Sequence, residues 1–148
     1  MLTACSLSRG YAAWVTYEDS NVDAEPDLAR LTTLLDQAEL ALVVKGSHFD
    51  ARRRKASHVL ARAGDRSALA ELRSALRCVP RTQRLALMTP GEPTIALFGA
   101  DRQYLAAITV VGSGHVRSHG LLEGDALLAE PERLIRWLAV IVGSDHGA

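Results

Sequence analysis

From Leu28 through Leu31, Leu35, Ala38 and Leu42, apolar residues return every three or four positions, the spacing of one helical face. Pro26 suits a first helical residue because its missing N–H is not needed there, and Gly46 suits a stop. The pattern therefore predicts a helix over 26–44. A second helix is expected behind Ser47 and Asp50, a capping-box-like pair with Asp in place of Glu. Phe49, Ala56, Val59, Leu60 and Ala63 would form its apolar face. Gly64 then fits the left-handed residue after a helix and Asp65 the N-cap of the next. Leu69, Leu72, Ala75 and Leu76 mark that third helix, which ends before Pro80. Together these segments predict an αα-hairpin with a tight turn.

After Pro80 the period changes. Thr82–Met88, Thr94–Phe98, Gln103–Val111 and His115–His119 read as short strands. Thr89–Pro93, Gly99–Arg102 and Gly112–Gly114 are the turns between them. Strands so close in sequence predict an antiparallel meander. A last helix opens at Glu130-Pro131-Glu132 and turns Leu134, Ile135, Trp137, Leu138 and Ile141 to the sheet, before a frayed tail. Upstream, Tyr11–Tyr17 reads as a strand or packed arm, and Glu18–Glu25 as a loop. The expected fold is α+β: amino-terminal helices with the αα-hairpin, packed on a small antiparallel meander that the carboxy-terminal helix covers. Trp137, Leu97, Ile108 and Val110 should share its core.

At 148 residues the chain is expected to be one domain, with an arm (1–25), a helical part (26–79), a meander with its helix (80–142) and a tail (143–148). Hydrophobic residues make up 48% and charged residues 23%, which argues against disorder. Apolar stretches such as Ala38–Val44 are too short to span a bilayer, so no membrane is expected. Nor does a basic segment followed by an apolar one open the chain. Leu2-Thr3-Ala4-Cys5 has a lipobox-like order, yet only Met1 precedes it. Two cysteines, Cys5 and Cys78, are too few for a disulfide scaffold and point to the cytoplasm.

The formal charge is zero, but its signs are sorted. Residues 1–44 hold two arginines against seven acids, residues 45–84 eleven bases against three acids, and residues 85–148 four bases against seven acids. The net charges are −5, +8 and −3. Blocks of this size mark either a binding face or segments that pair with each other.

Residues 47–77 resemble one HEAT-type helical repeat. The likeness lies in the arginine-rich entry, Ala56, Leu60 and Ala63, the Gly64-Asp65 turn, and Ala68, Leu69, Leu72 and Leu76. It implies a protein-binding helical unit, with Leu28–Val44 at most a degenerate neighbour. Residues 85–140 look like the carboxy-terminal part of uncharacterised bacterial proteins, through Gly91-x-Pro93, Leu97-Phe98, Gly114 with Arg117, Gly124-Asp125-Ala126 and the Leu134-x-x-Trp137-Leu138 helix. That pattern implies no activity. Its Cys-x-Cys before the turn is missing here, where Leu87 stands, so no metal or redox role carries over.

Two clusters carry candidate chemistry. On a strand, His115, Arg117 and His119 would share one face, and two imidazoles beside a guanidinium suit a phosphate or acid–base work. The plain alternative is the solvent face of an edge strand. The second cluster is Arg52, Arg53, Arg54 and Lys55, joined by Arg66, which would meet an acidic protein surface or phosphates. No aromatics interleave to stack bases, so an acidic protein is the favoured partner and nucleic acid the lesser one. No histidine or cysteine spacing matches a metal site, Gly112-x-Gly114 is not a dinucleotide fingerprint, and no cofactor is expected. The resulting expectation is a non-enzymatic bacterial interaction module, an inhibitor, immunity or accessory subunit. The alternatives are a small phosphate-directed enzyme using His115, Arg117 and His119, and a nucleic-acid-binding accessory protein using Arg52–Lys55.

Overall fold

A computed structural model describes residues 25–46, 59–80, 84, 87–112 and 114–147. Among these residues three α-helices and a six-stranded antiparallel sheet make an α+β fold. In chain order the elements are α1 (Pro26–Gln37), β1 (Leu40–Val44), β2 (Val59–Ala63), α2 (Arg66–Ala75), β3 (Thr94–Phe98), β4 (Tyr104–Val111), β5 (His115–Arg117), β6 (Ala126–Leu127) and α3 (Pro131–Gly147). The sheet order is β2-β1-β3-β4-β5-β6. The expected meander is present as β3-β4-β5 and continues into β6. Both β2 and β3 run antiparallel to β1, so they are parallel to each other and are joined through α2.

The register lays one apolar face across the sheet. Ala63, Ala41, Leu97 and Ala106 form one row, and Ala61, Val43, Ile95 and Ile108 the next. Val110, Val116 and Ala126 continue that face over β4, β5 and β6. Leu31 and Leu35 of α1, Leu69, Leu72 and Ala75 of α2, and Leu134 and Trp137 of α3 complete the same core. Trp137, Leu97 and Ile108 are buried in it, with Val110 packed against it, as the sequence predicted. The opposite face is buried as well at Val44, Thr94, Ala96, Phe98, Thr109 and Val111.

The helical part differs from its expected form. The helix from Pro26 ends at Gln37 and residues 40–44 form β1. Leu40-Ala41-Leu42-Val43-Val44 is β-rich, and as a strand it places Ala41 and Val43 under the helices, which a continued helix could not do. Likewise Val59–Ala63, expected to close the second helix, is β2. Its period is two: Ala61 and Ala63 are buried while Arg62 between them is exposed. Of the expected αα-hairpin, the described residues thus keep only α2. Asp65 caps α2 as predicted, its Oδ2 accepting from the Ala68 N–H at 3.1 Å and the Ser67 hydroxyl at 2.6 Å.

Smaller corrections follow from backbone pairing. Arg84, Leu87 and Met88 lie outside any strand, β5 stops at Arg117 before His119, and α3 continues to Gly147 where fraying was expected. The Tyr11–Tyr17 segment, the Ser47 and Asp50 pair and the Arg52–Lys55 run lie outside the described residues. No described helix is long and apolar enough to cross a membrane.

Candidate functional site: the groove between α1 and α2

Three arginines fasten the molecule together. Arg117 on β5 makes a fork on Asp125, with Nε to Oδ1 at 2.8 Å and Nη2 to Oδ2 at 2.9 Å. Its Nη2 also reaches the Leu87 carbonyl at 2.6 Å, while the Leu87 N–H donates to Asp125 Oδ2 at 2.9 Å. The fork, set against the cost of burial and helped by the Leu87 N–H, holds the Asp125 carboxyl below its usual range. Arg84 bridges α1 to a loop, donating to Asp27 at 2.7 Å, Glu25 at 2.7 Å and the Glu123 carbonyl at 3.0 Å. Burial alone would raise Asp27; the Arg84 hydrogen bond and the Glu123 N–H reverse the sign and lower it. Arg133 of α3 holds Glu71 of α2 at 2.6 Å, and one turn on, Trp137 Nε1 donates to the Ala68 carbonyl at 2.8 Å. These two contacts run α3 antiparallel to α2.

The phosphate-site candidates are not brought together as a strand face. His115 and Arg117 share a side of β5, but the guanidinium of Arg117 is occupied by Asp125 and Leu87. His119 lies exposed in the turn beyond the strand. Of the basic cluster, Arg66 is exposed at the first residue of α2. Among the described residues no group of three or more histidine, cysteine or acidic side chains is placed to hold a metal.

One concave feature of the described surface is a groove of about 480 Å³ between α1 and α2. Leu28, Leu31 and Leu35 form its α1 wall and Ala70, Arg73 and Ser74 its α2 wall, with Leu76, Arg77 and Cys78 lining it past the end of α2. A smaller hollow beside Ala38, Glu39, Gly64, Arg66 and Leu69 shares Arg73 with it and extends it towards the start of α2. The two rim pairs differ. Arg73 Nε stays 3.7 Å from Asp36, and Arg77, whose side chain is 63% exposed, meets Glu130 at 3.1 Å. At the far end Cys78 pairs in an antiparallel bridge with Leu128, and burial pushes its thiol up to about 11.

Sequence reasoning missed this groove because it depends on where α1 ends. One signal was present: Arg66, Ala70, Arg73 and Arg77 stand at i, i+4, i+7 and i+11, which is one side of a helix.

The fold and groove define an α+β protein with a six-stranded antiparallel sheet and three helices over one of its faces. Comparison of the chain with protein-family models, with curated proteins and with solved structures found no match in any of the three.

Proposed function

We propose that the protein is a non-enzymatic interaction module of a bacterial cell, an inhibitor, immunity or accessory subunit, and that it holds its protein partner in the groove between α1 and α2. The observation that carries this reading is the groove itself, a hollow with a leucine-lined middle and a charged rim. An apolar centre inside a polar rim is the anatomy of a protein interface. The arginines support it: Arg84, Arg117 and Arg133 are spent on internal contacts, whereas Arg66 is exposed at the start of α2 and Arg73 stays 3.7 Å from Asp36 on the rim. The cytoplasm suits the free thiol of Cys78.

Affinity purification from the native host, followed by reconstitution from purified components in a calorimeter, tests the reading. A defined protein bound at one to one is the expected result. Phosphoester turnover by the purified protein, lost in both His115→Ala and His119→Ala, would replace it with the enzyme alternative.

A further inference from the structure

We infer that the segment seated in the α1–α2 groove is an acidic amphipathic helix of the partner protein. The inference rests on the binding-module reading and names the chemistry of its partner. Arg66, Ala70 and Arg73 lie along one side of α2, and Arg66 and Arg73 stand seven residues, about 10.5 Å of helix rise, apart. Two acidic residues seven apart on an incoming helix repeat that distance. Arg66 forms no ion pair among the described residues. The Arg73 guanidinium and Asp36 are far enough apart, and exposed enough (36% and 65%), for a partner carboxylate to take the arginine over. Arg77, past the end of α2, is held by Glu130 at 3.1 Å and takes no part in the match.

The other wall sets the apolar half of the match. Leu28 on α1, with Ala70 and Cys78 opposite, is the half-buried apolar surface that the groove leaves partly open, while Leu31 and Leu35 beneath it are buried in the core. An apolar stripe on the partner would lie against Leu28, Ala70 and Cys78, with its acids turned to α2. Asp36 and Glu39 on the same rim repel an evenly charged polyanion such as a nucleic-acid backbone, but leave room for carboxylates spaced to meet the arginines.

The probe is a fluorescein-labelled helical peptide of about 18 residues, five turns, with leucines on one stripe and glutamates seven apart beside it. Binding to the full-length protein is followed by fluorescence anisotropy at low salt. The expected result is saturable binding that weakens about tenfold or more in Arg66→Glu/Arg73→Glu, less in Arg66→Gln/Arg73→Gln, and falls with added salt. Both pairs of changes lie on the surface, and circular-dichroism melting should show wild-type folding. A peptide of the same composition in scrambled order, or one with lysine for glutamate, should bind about tenfold more weakly or worse. Equal binding of the scrambled peptide, or no effect of the reversal, overturns the inference. So does tighter binding of a single-stranded oligonucleotide of equal charge. Tighter peptide binding after Glu18→Gln, Asp19→Asn and Asp23→Asn also overturns it, by assigning the groove to this chain's own acidic stretch. Were a reconstituted native partner to bind the arginine reversal as well as wild type, this assignment would fall while the binding-module reading stood.

Discussion

Asp125 shows how much one side chain can hold. Its carboxylate is 2% exposed and receives the Arg117 fork and the Leu87 N–H, so it ties the end of the sheet to the loop before β3. Removing one partner of a buried pair leaves the other charge uncompensated, at roughly 3–5 kcal/mol. With Arg117 itself 23% exposed, Asp125→Asn should fall near the lower end, about 3 kcal/mol by urea unfolding. Because the folded state lowers the Asp125 pKa from 3.8, its contribution is complete above that value and drains away as pH falls through the lowered one. Wild type should therefore lose stability below about pH 4 more steeply than Asp125→Asn. Equal acid slopes would mean the carboxylate is not paired in solution. Gly91 makes a steric demand instead: a Cβ there would fall on the Val110 carbonyl oxygen and crowd Thr109. Gly91→Ala should lower the melting temperature markedly, and an unchanged one would show that this loop does not lie on β4. At Cys78 burial keeps the thiol protonated. In a Cys5→Ser background it should react with a thiol reagent at pH 8 far more slowly in the native protein than in urea.

At the scale of elements, success and failure in reading the sequence have one cause. Segments whose period matched a single element were legible: α2 with its Asp65 cap, β3 and β4 between Gly-rich turns, and α3 from Pro131. Two segments carried both periods. Ala38 and Leu42 extend the three-and-four spacing of α1, but Ala41 and Val43 alternate with them and are the pair that the core uses. In Val59–Ala63 the alanines suit a helix by propensity and the buried face of a strand by position, and tertiary pairing with β1 decides. Carbon chemical shifts provide the check: residues 59–63 should carry strand values and 66–75 helical ones. Helical shifts through 59–63 would restore the expected hairpin. The α2 core is open to a cavity test, since Leu72→Ala should cost about 2–5 kcal/mol at a site only 1% exposed.

For the whole molecule, the candidate site was legible only in fragments. Arg66 stands out on charge, but Arg73 joins it only because α1 ends at Gln37, with Asp36 beside Arg73. His115, Arg117 and His119 had the right chemistry and a shared parity, yet parity says nothing of Asp125, which lies eight residues past Arg117 and takes its guanidinium. The internal arginine pairs hold the three described helices and the sheet as one scaffold, and the groove is a concave surface between two of those helices. A ¹⁵N–¹H correlation spectrum of the full-length protein, titrated with the acidic amphipathic peptide, tests that claim most directly. The account predicts shifts confined to Leu28, Thr32, Leu35, Arg66, Ala70 and Arg73 and their neighbours, with His115 and His119 still. Shifts centred on His115–His119, with α1 and α2 unmoved, would contradict it.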